Sequence, residues 1–535
     1  MKKGYLFAIV LIATTTIFTR FTGLSQVPPH LSNDEISIAY DAYSISKTLR
    51  DEHNDFLPIS FQSHGTYKAP LTIYLASIPT FLLGNSEYSV RLPSAILGSL
   101  SVFLLGFLVY ELSKNKNLAL ITSSLLAISP WHIYTSRMVL ESNVALFFVI
   151  AGLYLFFYAR NRNKAPIIIV SFLFFVLSMY AYHTEWGLTP LLIGVLFYLY
   201  RKELYGKKAF FIGLLLFFLL ITPLFRNYLN NRGTYARANT QLLFRDPGLE
   251  KRLKSYPNDY LTKSQILLES SLGSYSSYIN LGYLFFDGLS LLPKTNPFQV
   301  GLFLAPLLPS FIFGFFRLKK YFKNNANFIY LWVIFSPLVP TLTTGGANSV
   351  RNLASVAPYL VVTAVGFLET FLAVRERKVL RTIYATIILT SFIYFSAIYF
   401  YHFPKENGEN FQYGYKQISL YIKPRYNLYN KIVVDPKFGE TYLFDGVPHL
   451  YIPYFTYLDP TYLQRRTKDD PCGHCFAKYE IRSIHWESEK IQTKYLYIVP
   501  YSNRPPDNIE KQLSMLNEIH LPNQKPAFRI YEKIQ

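Results

Sequence analysis

The sequence predicts a polytopic α-helical membrane protein with a small α/β domain near its C-terminal end. The chain has 535 residues, of which 51% are hydrophobic, 17% aromatic and only 16% charged, and this is too apolar for a soluble protein of that length. Its apolar residues come in blocks of about 17 to 22, long enough to cross the hydrocarbon core of a bilayer. Basic residues fall in every second connection between the blocks, as expected of a chain that crosses a membrane repeatedly.

The apolar blocks predict about eleven transmembrane helices. No convincing small-residue cleavage site follows the first block, which favours a membrane helix over a cleaved signal peptide. The predicted spans are residues 5–22, 91–111, 118–135, 143–159, 165–183, 187–200, 208–224, 297–316, 327–344, 353–373 and 380–400.

The basic clusters define a single inside face under the positive-inside rule. We therefore expect a multi-pass protein of the cell membrane with a cytoplasmic N-terminus and an extracytoplasmic C-terminal domain. Much of the formal net charge of +20 orients the chain, and no basic-aromatic module indicates nucleic-acid binding. The clusters are Lys2 and Lys3; Lys114 and Lys116; Arg160, Arg162 and Lys164; Arg201, Lys202, Lys207 and Lys208; Arg317, Lys319, Lys320 and Lys323; and Arg375, Arg377, Lys378 and Arg381.

One apolar run, residues 69–84, would invert every later basic cluster if it crossed the membrane. It is short and contains Pro70 and Pro79, so we expect a re-entrant or interfacial helix. This helix belongs to a long first outer loop, residues 23–90, and a second long outer loop covers residues 225–295. The transmembrane module then extends over residues 1–402.

Residues 403–535 have the composition of a small extracytoplasmic α/β domain. The segments KIVVD, KYLYIVPY and FRIYEKI are predicted as strands, and FQYGYKQISLYI and NIEKQLSMLNEI as helices. The domain contains the two cysteines of the chain, Cys472 and Cys475 of the CGHC segment. A lone C-x-x-C outside the cytoplasm is more typical of a disulfide than of a redox centre, and a metal site would need further ligands.

Two adjacent carboxylates, Asp34 and Glu35, follow the first span. Ser32 and Glu35 fit the S-x-x-E capping box, so both acids are explained by the first turn of a helix that continues to Arg50. That structural interpretation stands beside a functional one, because ionisable residues at a membrane boundary are candidates for a site.

Other ionisable residues are expected on the same face and at a similar depth. Lys68 is also explained by a side chain that snorkels from a helix end, and Arg137 and Glu141 by an i, i+4 ion pair. A carboxylate at this depth can take a proton from an attacking hydroxyl, and cations can hold a phosphate leaving group. The further candidates on this face are His64, His183 and Arg351.

Six segments in this order resemble the GT-C glycosyltransferases. They resemble most closely the bacterial members of glycosyltransferase family 39, the dolichyl-phosphate-mannose protein mannosyltransferase family, and more distantly the lipid A aminoarabinose transferases. The resemblance covers nearly the whole membrane part and the start of the outer domain. The segments are NDE in the first outer loop, YKAPLTIYLASIPTFLLGNSEYSVRLPSAILGSLSV, SPWHIYTSRMVLESN, GYLFFDG, NSVRNLASVAPYLVV and YHFPKENGENFQYGYKQISLYI.

This resemblance implies a GT-C fold and a polyprenyl-phosphate sugar donor. It also implies inverting transfer of mannose or a related sugar to an acceptor hydroxyl on the outer face. Carried over by position, it makes Asp34 the catalytic base and Glu35 its companion. Lys68 would contact the donor phosphate, Arg137 would help to organise it, and Glu141 would orient the substrate or the base.

The resemblance implies a substrate-binding role for His64, His183 and Arg351, with a core or capping role as the alternative for each. The expected partners are the lipid-linked donor, membrane lipid, and a protein serine or threonine, a lipid or an envelope glycan as acceptor. No cofactor is required, and a divalent cation is compatible with the chain although no ligand cluster has recognisable spacing.

The rival function is a transporter or flippase for a lipid-linked sugar, but the paired interrupted repeats typical of transporters are not found.

Overall fold

The structure is a computed structural model that describes residues 2–63, 66–204, 208–230, 242–288, 300–439, 444–465 and 475–534. Its helices are α1 (Lys2–Phe21), α2 (Asn33–Thr48), α3 (Pro70–Leu83), α4 (Glu87–Ser113), α5 (Lys116–Ala127), α6 (Pro130–Ser136), α7 (Glu141–Arg162), α8 (Ala165–Ala181), α9 (Glu185–Leu204), α10 (Lys208–Asn230), α11 (Pro247–Lys254), α12 (Tyr260–Ile279), α13 (Leu308–Phe322), α14 (Ala326–Phe335), α15 (Leu338–Thr341), α16 (Val356–Ala373), α17 (Lys378–Ala397), α18 (Phe403–Glu406), α19 (Tyr415–Ile422), α20 (Pro448–Thr456), α21 (Thr461–Gln464) and α22 (Asp507–Glu510). Its strands are β1 (Phe61–Ser63), β2 (Thr66–Lys68), β3 (Lys431–Val434), β4 (Lys437–Phe438), β5 (Phe444–Asp445), β6 (Tyr479–Ile481), β7 (Tyr495–Pro500), β8 (Leu513–His520) and β9 (Pro526–Lys533).

The chain divides into two compact units. Unit 1 comprises Met1–Thr22, Ile59–Thr72 and Ser94–Ile398. Unit 2 comprises Gly23–Pro58, Ile73–Pro93 and Tyr399–Gln535.

The described part of the chain contains six helical segments that are long and apolar enough to cross a bilayer. Two further apolar helices, α3 and α8, have 14 and 17 residues, shorter than the roughly 20 residues that a straight crossing needs. The multi-pass helical prediction is therefore confirmed, while the number of about eleven spans stays a prediction. The six segments are Lys3–Phe21, Glu87–Ser113, Glu141–Arg162, Lys208–Asn230, Leu353–Ala373 and Lys378–Glu406.

Two of the predicted spans are interrupted. The span predicted at residues 118–135 is divided between α5 and α6, because Pro130 has no N–H to continue the ladder and its ring disfavours a helical residue before it. The next N–H, that of Trp131, leaves the helical pattern and donates to the carbonyl oxygen of Leu302 at 3.0 Å. The span predicted at residues 327–344 is likewise divided between α14 and α15 at Pro337.

Polar contacts in unit 1 join ends of helices that the basic clusters assign to the inside face. Arg162 near the end of α7 pairs with Glu111 near the end of α4, with 2.7 Å between Nη1 and Oε1. Arg160 binds both carboxylate oxygens of Glu203 in α9 at 2.7 Å and donates to Asn325, next to α14, at 3.4 Å. These contacts agree with the predicted alternation of connections, because four predicted inside ends meet.

Helices α13 and α16 of unit 1 approach each other through glycines. A Cβ atom built on Gly366 would overlap the carbonyl oxygen of Ser310, and one on Gly314 would overlap the carbonyl oxygen of Val362. Small residues that let two backbones approach closely are a general means of packing helices in membranes.

The C-terminal part of unit 2 contains a five-stranded sheet in the order β6-β3-β7-β9-β8. Strands β6, β3 and β7 are parallel, whereas β9 and β8 pair antiparallel with their neighbours. Alternate residues of β7, Tyr497 and Val499, pack with Trp486, Leu513 and Tyr531 in one buried cluster. The α/β prediction for this segment is confirmed, including strands at KIVVD, KYLYIVPY and FRIYEKI.

The helix predicted at residues 508–519 is wrong. Only the short α22 forms there, and Leu513–His520 is strand β8, paired antiparallel with β9. Pairing with a neighbouring strand overrides the helix propensity of its Glu, Lys, Leu and Met residues. Cys475 is disulfide-bonded, and Cys472 lies outside the described residues.

Gly366→Ala should lower the free energy of unfolding by more than about 2 kcal/mol, because the new methyl group forces α13 and α16 apart. Gly194→Ala in α9 is the matched control, since a Cβ there meets no atom within 4 Å and should be neutral or slightly stabilising. Thermal unfolding of the purified variants in detergent measures the difference. Equal unfolding temperatures would contradict close packing at Gly366.

Candidate active site

The N-terminus of α2 holds the two adjacent carboxylates of the first outer loop in different environments. Ser32 caps the helix: its Oγ accepts from the N–H of Glu35 at 3.3 Å, and Glu35 Oε2 accepts from the N–H of Ser32 at 3.0 Å. The predicted capping box is thus confirmed. The side chain of Glu35 is buried, whereas that of Asp34 is exposed, and the positive end of the helix dipole favours its ionised form.

Arg91 of α4 is the residue that holds this loop in shape. Its Nε and Nη2 donate to the two carboxylate oxygens of Glu35 at 2.9 and 3.1 Å, and both side chains are completely buried. The remaining donors bind the carbonyl oxygens of Leu24 and Pro28 at 3.0 Å and of His30 at 2.6 Å. One guanidinium therefore binds three backbone carbonyl oxygens of the loop and the carboxylate next to Asp34. Sequence reasoning missed this residue.

Residues of the C-terminal segment hold the same loop from another side. Tyr451 of α20 donates its hydroxyl to the carbonyl oxygen of Leu31 at 2.6 Å. The buried ring of His30 packs against Tyr451 and Phe455, with centroid distances of 4.9 and 5.7 Å. Burial lowers the pKa of His30 to about 4, an effect that the carboxylate of Glu87 opposes. Within unit 2, the loop before Asp34 is thus bound both by Arg91 of α4 and by Tyr451 of the C-terminal segment.

In unit 1, Lys68 and Glu141 are brought together. Lys68 ends the β1–β2 hairpin and is buried. The N–H of Ala69, the next residue, donates to Glu141 Oε1 at 2.7 Å. Glu141 is the first residue of α7, so its carboxylate fixes the chain that carries the Lys68 ammonium.

Arg137 is fully buried at the C-terminal end of α6. Its Nη1 and Nη2 donate to the carbonyl oxygens of Thr19 and Thr22, at 2.9 and 2.8 Å, at the end of α1. Arg137 and Glu141 lie on different helices, so the i, i+4 pair within one helical turn is wrong. The negative end of the α1 dipole instead stabilises the guanidinium.

A third buried guanidinium belongs to Arg20, which sequence reasoning also missed. Its Nη2 donates to the carbonyl oxygen of Leu126 at 3.0 Å and to His132 Nδ1 at 2.8 Å. Its Nη1 donates to the carbonyl oxygen of Ala127 at 2.9 Å. Arg20 therefore caps the C-terminal end of α5 as Arg137 caps that of α1. The signal in the sequence is an arginine in the last turn of an apolar span, a position that charge rarely occupies without a partner.

The three remaining predicted residues have different surroundings. The ring of His183 packs on Trp186, with 4.9 Å between centroids. Arg351 donates from Nη1 to Thr343 Oγ1 at 3.0 Å and to the carbonyl oxygen of Thr344 at 2.7 Å, which shapes the loop before α16. His64 lies outside the described residues.

Chemically, the described residues offer carboxylates and cations rather than a metal centre. No group of three or more His, Cys, Asp or Glu side chains in the described ranges has the arrangement of a metal site. The exposed carboxylate of Asp34 belongs to unit 2, and the cations Lys68 and Arg137 belong to unit 1. Such groups can accept a proton and stabilise phosphate charge.

Residues 10–225 match the family model described as dolichyl-phosphate-mannose-protein mannosyltransferase. This confirms the resemblance that the sequence motifs predict, over that range. No curated protein sequence matches the chain.

Solved structures have the same fold at low sequence identity. ArnT from Cupriavidus metallidurans in the apo state is 11% identical, with a TM-score of 0.58 over 98% of this chain and 97% of ArnT. ArnT bound to undecaprenyl phosphate is 10% identical, with a TM-score of 0.55 over the same shares.

The archaeal oligosaccharyltransferase AglB from Archaeoglobus fulgidus, in complex with an inhibitory peptide and a dolichol-phosphate, is 13% identical. Its TM-score is 0.50 over 85% of this chain, and the chain spans 64% of the length of AglB. These similarities confirm the predicted GT-C fold.

Arg91→Met should destabilise unit 2 by about 3 to 5 kcal/mol, because it leaves Glu35 buried without its cation. Arg375→Met is the control, since Arg375 and its partner Glu376 are exposed and such pairs contribute less than about 1 kcal/mol. The double variant Arg91→Met, Glu35→Leu should recover part of the loss, because no buried charge remains. Thermal unfolding measures all three, and a loss as small as that of Arg375→Met would contradict the role of Arg91.

Because of His30, the free energy of unfolding should decrease as the pH is lowered from 6.5 to 4. Its pKa in the folded chain is about 4, below the ordinary 6.5, so the unfolded chain binds the proton more tightly. The contribution is complete above pH 6.5 and decreases by roughly 3 kcal/mol as the pH falls to about 4. His30→Phe should flatten the profile of unfolding temperature against pH over this range, and the exposed His485→Phe should leave it unchanged. Identical profiles for the two variants would refute this assignment.

Proposed function

We propose that this chain is an integral membrane glycosyltransferase. It moves a sugar, mannose or a related one, from a polyprenyl-phosphate donor to an extracytoplasmic acceptor hydroxyl with inversion. The observation that carries the proposal is the exposed carboxylate of Asp34 at the N-terminus of α2, in a chain with the GT-C fold. The family match over residues 10–225 supports the same reaction class.

Asp34 is the proposed base and Glu35 its positioning companion. A base must be ionised and must reach its substrate. Asp34 is exposed at the positive end of α2, which supports its assignment as the base. The carboxylate of Glu35 is engaged by Arg91 and by the N–H of Ser32, so it orients the turn on which Asp34 sits.

Lys68 and Arg137 are the proposed phosphate ligands, with Glu141 orienting the Lys68 segment. An ammonium and a guanidinium are the usual cations for phosphate oxygens. Burial of both side chains strengthens their interaction with an anion, because water screens it less. His64, His183 and Arg351 are proposed to bind the remaining parts of the substrate.

The proposed reaction is a single displacement at the anomeric carbon. The acceptor hydroxyl gives its proton to Asp34 while its oxygen forms the new glycosidic bond from the face opposite the phosphate. The bond between the anomeric carbon and the phosphate oxygen breaks, and its electron pair leaves with polyprenyl phosphate. The leaving phosphate gains one negative charge, which Lys68 and Arg137 offset.

The donor class is supported by the ligands of proteins with this fold. One ArnT structure contains undecaprenyl phosphate, and the AglB structure contains a dolichol-phosphate and an inhibitory peptide. For this chain, a protein serine or threonine, a lipid and an envelope glycan are the proposed acceptor classes. The proposed orientation has the N-terminus in the cytoplasm and residues 403–535 outside, as the basic clusters indicate.

Asp34→Asn should lower sugar transfer by about 10²- to 10⁴-fold, the usual contribution of a general base, while donor binding is unchanged. Radiolabelled polyprenyl-phosphate-mannose is offered to the purified protein with peptide and glycolipid acceptors in separate reactions. Asp55→Asn is the matched control, an exposed acid in the same unit, and should retain full activity.

The two variants separate the possible outcomes. Full transfer by Asp34→Asn would refute its role as the base. Binding of the lipid without release of any sugar from a panel of donors, by the unmodified protein as well, would favour the transporter or flippase.

A further inference from the structure

Three helices of unit 1 meet at the end of the bundle that the basic clusters assign to the inside face. Glu369 near the end of α16 binds Lys320 of α13, with 2.6 Å between Nζ and Oε1. The guanidinium carbon of Arg381 near the start of α17 lies 5.6 Å from the ring centre of Phe371 in α16. The ends of α13 and α16 and the start of α17 therefore lie side by side.

The surface that these helix ends form is strongly positive. We define it as the basic surface, residues 317–323 and 369–381, which contains eight cations and two acids and so has a net charge of +6. The two acids pair with three of the cations. No carboxylate in the described part of the chain lies within 4 Å of the other five, which are exposed or half-buried. These five are Lys319, Lys323, Arg377, Lys378 and Arg381.

Arginines at the other inside ends have carboxylate partners. Arg162 pairs with Glu111 and Arg160 with Glu203, each at 2.7 Å. Helix α17, in contrast, has no acidic residue in its first turn, and its N-cap makes no side-chain hydrogen bond. Orientation in the membrane requires cations at these ends but does not require them to gather without counter-charges. An anionic partner would supply the missing charge.

Exposed apolar side chains flank the basic surface and indicate which kind of anion fits. Phe316, next to Arg317, is 78% exposed, and Val379, next to Lys378, is 71% exposed. A soluble anion makes no use of such side chains. A phospholipid, however, carries acyl chains beside its phosphate, and basic surfaces between membrane helices are suited to anionic head groups.

We propose that the basic surface binds an anionic phospholipid of the adjacent leaflet, which is the inner leaflet in the proposed orientation. The five cations without a carboxylate partner hold the lipid phosphate, and the apolar side chains of α13 and α17 contact the acyl chains. None of these residues takes part in the proposed sugar transfer, so the inference is independent of that reaction.

The test measures lipid binding to the full chain in detergent by native mass spectrometry. The probe is dioleoyl phosphatidylglycerol, and the zwitterionic dioleoyl phosphatidylcholine is the reference. A triple variant that removes three charges from the basic surface should raise the dissociation constant of phosphatidylglycerol by about 100-fold at low salt and leave that of phosphatidylcholine unchanged. Its substitutions are Lys319→Gln, Arg377→Gln and Lys378→Gln. The single variant Lys378→Gln should raise the constant by about 5-fold.

Two further triple variants are controls. The first removes the same charge from exposed lysines elsewhere on the predicted inside face and should bind phosphatidylglycerol normally; it carries Lys116→Gln, Lys164→Gln and Lys202→Gln. The second keeps the charge of the basic surface and should also bind normally; it carries Lys319→Arg, Arg377→Lys and Lys378→Arg. All variants should unfold at the same temperature in lipid-free detergent, because the substituted side chains are exposed.

Three results would overturn the inference. The first is equal binding of phosphatidylglycerol by the charge-removing variant and by its control on the other inside connections. The second is binding of phosphatidylcholine by the unmodified protein as tight as that of phosphatidylglycerol. The third is displacement of phosphatidylglycerol by an equal concentration of glycerol 1-phosphate, which would indicate a site for a soluble anion. Sugar transfer is not measured, so failure of the proposed function would leave these outcomes unaffected.

Discussion

The buried ion pair between Arg91 and Glu35 is the interaction on which the chain leading into α2 depends. Two opposite charges can be buried together only when their geometry is bidentate and the remaining donors are satisfied. Arg91 meets both conditions, because its other N–H groups bind carbonyl oxygens of residues 24, 28 and 30. Residues 22–32 contain no helix or strand, and these contacts still hold the N-terminus of α2 in one position.

Much of the fold could be predicted because a bilayer imposes one length and one polarity on every crossing segment. Hydropathy averages over a window, however, and so it does not detect breaks such as those at Pro130 and Pro337. These breaks depend on single proline rings and on a hydrogen bond from Trp131 to a distant residue. Strand β8 was missed for a similar reason, since its conformation is set by the neighbouring β9 rather than by its own residues.

The candidate site could be predicted only in part, and the missed residues share one property. Arg91 binds three backbone carbonyl oxygens and Arg20 binds two, and such partners leave no mark on the sequence. Asp34, Lys68 and Glu141 stand out because a charged side chain at a membrane boundary is unusual by itself. A pair such as Arg91 and Glu35, separated by 56 positions in the chain, becomes apparent only in the folded structure.

The proposed catalytic role of α2 depends on its capping box. A base on a flexible loop would spend most of its time away from the acceptor hydroxyl, whereas the first turn of a capped helix has a single backbone conformation. Glu35 is suited to capping because its carboxylate reaches back to Ser32 and is neutralised by Arg91, and this leaves it unsuited to proton transfer. The side chain of Asp34 is exposed. In the proposed mechanism the two adjacent carboxylates thus have different tasks: Glu35 fixes the first turn of α2, and Asp34 accepts the proton.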